Sequence, residues 1–202
     1  MRHHVSSRRR ENAHTRALAS AAGILQNEGY SRLTMERVAA QSGVAKTTLY
    51  RRWPTKAALC VELYLDVAGR ELKDPDTGDL ASDLRHICNT VVHLQTKTIA
   101  GQAFLGLLAE AQIDPQASAA FLKHFAERRR EITRRVLRRA IQRREIHAAA
   151  DVDLIIDALG GTTTFRLLQK HAPLSRKFAN DLVNLVLSGC RNPHLHPATV
   201  TR

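Results

Sequence analysis

Lys46, Thr47, Tyr50 and Arg51 place an ammonium, a hydroxyl, a phenol and a guanidinium on one short stretch of chain. At about 100° per residue all four fall on one face of a helix. Such a face can donate hydrogen bonds and positive charge to an anionic partner. Ala45, Leu49 and Trp53 fall on the opposite face and are expected to anchor the helix. A helix that enters the major groove of duplex DNA needs small or hydrogen-bonding side chains near its start, where it meets base edges. It also needs cations at its flanks, where phosphates line the groove. This stretch supplies both.

Two helices and a tight turn must position these groups, and the neighbouring residues predict them. The helix before the turn starts at Thr34, whose hydroxyl can cap free N–H groups, and Met35, Val38 and Ala39 mark its buried side. Gly43 closes it, because a C-terminal cap needs a left-handed backbone that glycine adopts at little cost. Pro54 ends the second helix, and Thr55 caps a further one with Lys56 in its first turn. A lysine there opposes the helix dipole. It makes sense beside a phosphate drawn to the same helix end, the other reading being a solvated side chain. Residues 25–57 thus read as a helix-turn-helix.

Gly-Tyr-x-x-Leu-Thr-Met-Glu-Arg-Val-Ala at 29–39 and Ser-Gly-Val-Ala-Lys-Thr-Thr-Leu-Tyr-Arg-Arg-Trp-Pro-Thr-Lys-Ala-Ala-Leu at 42–59 carry a specific likeness. The chain resembles the tetracycline-repressor (TetR) family of bacterial transcriptional regulators. The resemblance implies that Thr34, Tyr50, Arg52 and Lys56 touch phosphates, and that Lys46, Thr47, Thr48 and Arg51 lie in or beside the groove. Ala45 stands where the family often has serine, so the second helix lacks a side-chain cap, a loss of about 0.5 to 2 kcal/mol. Thr47 replaces a small residue and Arg52 a histidine. These two changes bear on which operator is read, not on how DNA is bound.

Charge agrees with a polyanionic partner: the chain carries a formal +12. Residues 1–72 hold twelve Lys and Arg against six Asp and Glu, so half the excess lies in the first third. Arg8, Arg9 and Arg10 sit in a stretch without apolar periodicity. They read as a flexible basic arm, residues 1–11, adding phosphate or minor-groove contacts, or alternatively as a solubilising tail. No apolar run approaches the roughly 20 residues a membrane span needs, and no signal-peptide core follows the basic start. A cytoplasmic protein, associated with the nucleoid when on DNA, is expected. Cys60, Cys88 and Cys190 are widely spaced and odd in number, and Cys60 and Cys88 read as buried thiols, redox sensing being the alternative. The ten histidines make no metal-ligand pattern, and no nucleophile or phosphate-loop motif occurs. No enzyme activity, cofactor or metal is expected.

The fold class is all-α: a three-helix head at 12–57, a helical body at 58–190 for effector binding and dimerisation, and a flexible tail at 191–202, with about nine helices in all. Breaks fall at Asp74-Pro75-Asp76-Thr77-Gly78, Asp114-Pro115, residues 147–151 and Ala172-Pro173. Two late helices carry apolar stripes, Leu154, Ala158, Gly161, Phe165 and Leu168 on one, Phe178, Leu182, Leu185 and Val186 on the other. In the resembling family the last two helices form a four-helix interface across a two-fold axis. A homodimer is expected here, ordinary core packing being the alternative. Nine arginines crowd residues 127–145. Most read as a solvated face with Glu127, Glu131 and Glu145 as partners, but Arg128 and Arg129 bracket the inward stripe of Phe121, Phe125, Ile132 and Val136. An inward guanidinium needs a carboxylate or an anionic ligand. Cys88, His93, Phe104, His124, Phe125, Arg128 and Thr164 interrupt or line inward stripes and are the candidates for an effector pocket. The function read from the chain is a dimeric repressor on a palindromic operator, released by a small molecule. A basic protein that coats DNA without preference is the other reading.

Overall fold

The computed structural model describes residues 2–123 and 127–190, with side chains from Glu11 onward except those of Ala120 and Arg128. The fold is all-α. Ten helices run in order: α1 (Arg2–Glu28), α2 (Met35–Ser42), α3 (Lys46–Arg52), α4 (Lys56–Glu71), α5 (Leu80–Lys97), α6 (Ile99–Glu110), α7 (Pro115–Phe121), α8 (Glu127–Gln142), α9 (Val152–Gln169) and α10 (Arg176–Cys190). A 3-10 turn, Tyr30–Arg32, links α1 to α2. No described helix is long and apolar enough to cross a membrane. The stripe through Phe121 and Ile132, read from the sequence as one helix, is divided between α7 and α8.

The helices form two compact units, Met1–Arg70 with Lys97–Ala126, and Glu71–Thr96 with Glu127–Arg202. In the first, α1 buries Ala17, Ala21, Ile24 and Leu25, a run spaced by three and four. α2 packs on α1 and α3, and α6 packs on α1 and the 3-10 turn. α6 joins this unit through Tyr30. The Tyr30 ring lies against Gly106, where a Cβ would fall inside it. The phenol donates to Glu110 Oε2. Burial, then that bond, pushes the phenol's pKa up. α1 begins at Arg2, so residues 2–11 of the expected arm are helical in backbone, no glycine or proline intervening before Gly23. The side chains of Arg8, Arg9 and Arg10 and the expected tail at 191–202 lie outside the described residues.

The second unit is built by α5, α8, α9 and α10. Leu84 and Ile87, Val136 and Leu137, Ile155 and Leu159, and Val183 and Leu187 are among the residues of its core. Phe178 and Leu182, expected at a contact between copies, are 8 % and 6 % exposed and belong to this core; Val186 packs half-buried against it. Leu185 lies about 200° round α10 from Val183 and is 71 % exposed. On α9, Leu154, Phe165 and Leu168 are exposed, Gly161 lies beside them and Ala158 is half-buried.

The arginines of α8 are more than a solvated face. Arg139 Nη2 donates to Asp74 Oδ1 at 2.8 Å and Arg135 Nε to Asp74 Oδ2 at 2.8 Å, Asp74 lying before α5. Arg134 reaches Asp153 at 2.6 Å, and Arg130 reaches Asp153 at 2.9 Å and also Asp157. Glu145, expected to serve arginines alone, also accepts from the backbone N–H of Leu80 at 2.7 Å. The ladder therefore ties α8 to the start of α5 and to α9.

Candidate nucleic-acid interface

Thr34 sits at the N-cap of α2 with φ −132° and accepts from the Arg37 N–H at 3.2 Å, while Gly43 closes the helix at φ 64° with its N–H on Ala39 O at 3.0 Å. These two caps set where the chain leaves α2 and enters α3. Leu49 and Trp53 are 1 % and 3 % exposed and anchor α3. Ala45, expected on the anchored side, is exposed. As the N-cap at ψ 137° it has left the helical phase, and Val44 is buried in its place. No side chain caps α3, as the alanine requires.

Lys46, Thr47, Tyr50, Arg51 and Arg52 are exposed and Thr48 is half-buried. Neither Lys46 nor Arg51 has a carboxylate within 4 Å among the described residues, so both charges are free for another partner. Tyr50 is oriented from behind: its hydroxyl donates to Glu36 Oε1 at 2.8 Å, a bond that holds the Glu36 carboxyl below the usual range. A cleft of about 470 Å³ runs beside α3, with Thr48, Arg51, Arg52, His14 and Trp53 in its wall.

Glu62 of α4 is the residue that the spacing argument missed. The indole N–H of the buried Trp53 donates to Glu62 Oε2 at 2.6 Å, Arg52 Nη2 donates to Oε1 at 3.0 Å, and His14 Nε2 lies 2.6 Å from Oε1. Burial pushes the carboxyl up, but the bonds from His14, Trp53 and Arg52 together leave it lowered. The His14 ring stacks on Trp53 with centroids 5.5 Å apart. One signal in the sequence pointed here: a buried indole needs an acceptor. Lys56, implied at a phosphate, has partners within the molecule. Its ammonium lies 3.6 Å from Glu110 Oε2 and 4.2 Å from the centre of the Tyr30 ring. Thr55 caps α4 by accepting from the Ala58 N–H at 3.1 Å.

The described candidate effector residues are divided between the two units. Cys88 lines a cavity in the second unit with Ile87, Arg129, Thr133, Gly160 and Thr163. Burial pushes its thiol up to about 12. His93 is exposed and 3.6 Å from Glu71. Phe104 belongs to the first unit, its ring 5.7 Å from that of Phe121. His124, Phe125 and the side chain of Arg128 lie outside the described residues. Thr163 and Arg129 line the cavity beside Cys88, and Thr164, one step of about 100° further round α9 from Thr163, does not.

Comparison with known proteins bears on both units. A family model described as "Bacterial regulatory proteins, tetR family" matches residues 17–63, and one described as "Tetracyclin repressor-like, C-terminal domain" matches residues 74–186. An HTH-type transcriptional regulator of Mycobacterium tuberculosis is 32% identical over 178 residues, 86% of this chain and 85% of that one. A DNA-binding transcriptional repressor TetR of Mycobacteroides abscessus is 32% identical over 172 residues, 84% of this chain and 89% of that one. Among solved structures, a TetR family transcription regulator superposes with a TM-score of 0.75 at 34% identity, covering 88% of this chain and 97% of its own. The transcriptional regulator FadR of Bacillus subtilis, solved with stearoyl-CoA, shares the fold at 19% identity, with a TM-score of 0.67, over 87% of this chain and 98% of its own.

Proposed function

The chain belongs to the TetR family of helix-turn-helix, DNA-binding transcriptional regulators, a non-enzymatic family, and from that premise we propose that it is a homodimeric repressor. In this reading its two α3 helices bind a palindromic operator and a small-molecule effector releases it. The observation that carries the DNA-reading role is the outer face of α3, where Lys46 and Arg51 are exposed beside Thr47 and, among the described residues, neither is held in an ion pair within 4 Å. Such a charge breaks no internal salt bridge when it meets a phosphate or a base edge. Tyr50 and Arg52 are held at the rim by Glu36 and Glu62, which fixes where they can reach. Arg8, Arg9 and Arg10 add to the same field. Lys56 reaches a phosphate only by leaving Glu110.

Dimerisation is supported by Leu154, Phe165 and Leu168 of α9 and Leu185 of α10, which leave large apolar side chains in solvent. Covering such a surface with a second copy removes it from water. A palindromic operator requires the two α3 helices about 34 to 36 Å apart, one turn of duplex, and pairing them multiplies the specificity of a seven-residue helix. An effector that binds better to the form that does not fit the operator must weaken DNA binding by the same factor.

Arg51→Ala tests the central face. Fluorescence anisotropy on a duplex enriched by the protein should show a loss of about 1 to 3 kcal/mol if Arg51 reads a base, confined to the specific duplex. An equal loss on every duplex assigns Arg51 to phosphate and lowers the slope of log affinity on log salt by about one. No loss on any duplex removes α3 from the interface.

A further inference from the structure

Tyr50 stands on the outer face of α3, one turn after Lys46, and is 41 % exposed. Unlike the ammonium and guanidinium groups around it, a phenol has a single proton to donate. Here that proton is committed inside the protein: the hydroxyl donates to Glu36 Oε1 at 2.8 Å, and it makes no other hydrogen bond among the described residues. The oxygen keeps only its lone pairs for another partner. The bond joins α3 to the first turn of α2, where the helix dipole favours a carboxylate. It raises the phenol's pKa and, with the Glu36 backbone N–H and then Lys46 adding to it, lowers the carboxyl's. At neutral pH the proton stays on the phenol and the carboxylate stays ionised.

The two kinds of group on duplex DNA respond oppositely to such an oxygen. A phosphate has no proton to give, so against an acceptor beside an ionised carboxylate it gains no bond and meets like charge. A base edge can supply the proton. In the major groove the N6 amine of adenine and the N4 amine of cytosine are donors, whereas O6 of guanine and O4 of thymine are acceptors. Arg52 makes the contrast plain: a guanidinium that gives one N–H to Glu62 Oε1 still has others for a phosphate.

We propose that Glu36 is a specificity-determining residue: by holding the Tyr50 proton it leaves the phenol oxygen as an acceptor that selects the amine of adenine or cytosine and turns away a phosphate. This rests on the DNA-reading role of α3 proposed above, and it departs from the phosphate contact that the family resemblance implies for Tyr50.

The test compares the full-length wild type with Tyr50→Phe, Glu36→Ala and Glu36→Gln. Both side chains are exposed, and circular dichroism checks that helical content is kept. Selection of duplexes from a random pool should show one position in each half-site at which Tyr50→Phe relaxes the choice of base pair. At that position adenine is replaced by purine, or cytosine by 2-pyrimidinone, which deletes the amine alone, and affinity is read by anisotropy. Deleting the amine should cost the wild type about threefold to tenfold more than it costs Tyr50→Phe, which has lost the oxygen, or Glu36→Ala, which has freed its proton. Glu36→Gln still offers Tyr50 a carbonyl acceptor and should respond as the wild type does. A Tyr50→Phe protein that loses affinity equally for every duplex would assign the phenol to phosphate and overturn the proposal. So would an equal cost of deleting the amine in the wild type and Glu36→Ala, or a Glu36→Gln protein that behaves like Glu36→Ala. A palindrome read identically by all four proteins removes the proposal alone. A wild type that enriches no duplex removes the regulator reading and the proposal with it.

Discussion

At the scale of single residues, carboxylates decide which cations are free. Glu62 gathers Trp53, Arg52 and His14, so its loss should strand a half-enclosed indole N–H and release Arg52. Glu62→Ala is expected to cost about 1 to 3 kcal/mol, seen as a lower urea midpoint; an unchanged midpoint would show that solvent satisfies the indole equally well. Asp74 presents a pH-dependent case. The Arg139 guanidinium, ahead of that of Arg135, holds its carboxyl below the ordinary range. A depressed carboxyl contributes stability that is complete above the unfolded value, about 3.9, and is lost as pH falls through the folded one. Asp74→Asn should therefore cost about 1 kcal/mol at neutral pH, and the difference from wild type should shrink below about pH 4. Unfolding in urea at both pH values checks this, and a constant difference would contradict it. Which arginines of α8 are paired could not be read from the sequence. Their partners Asp74, Asp153 and Asp157 are far along the chain, and only the packing of α8 brings them near.

At the scale of elements, the helix-turn-helix was legible almost residue by residue because its signals are local. Thr34, Gly43, Pro54 and Thr55 act on backbone within a few positions, and each cap stands where it was expected. Ala45 shows the limit of a helical wheel, which assumes a helical backbone at a position that is in fact the cap. α6 shows another. Nothing in residues 99–110 says that this helix joins the unit containing the DNA-reading face, because the joint is a space: Gly106 leaves room for the Tyr30 ring. Gly106→Ala should force that ring aside and cost about 1 to 3 kcal/mol, as overpacking does. Gly23→Ala, in α1 where an added Cβ meets nothing within 4 Å, serves as the control for propensity. A Gly106→Ala protein as stable as the wild type would mean that the ring shifts without loss. The exposed apolar stripe of α9 was legible as periodicity, but on α10 the stripe expected between copies ran together with the core face, to which Phe178 and Leu182 belong.

At the scale of the whole molecule, one short helix with two uncompensated cations is too small a reader by itself, and the account requires two. The exposed apolar residues of α9 and α10 and the cationic face of α3 are thus parts of a single claim: the first brings copies together and the second gives each copy half an operator. The net charge of +12 would by itself serve a protein that coats DNA indiscriminately. Selection of duplexes from a random pool separates these most directly, run in parallel on the wild type and on Phe165→Glu, which places a charge in the exposed stripe of α9. The account predicts a palindrome enriched by about a thousandfold or more over bulk DNA for the wild type and at most a single half-site, weakly, for the variant. Equal recovery of all duplexes by the wild type, or an undiminished palindrome with Phe165→Glu, would contradict it.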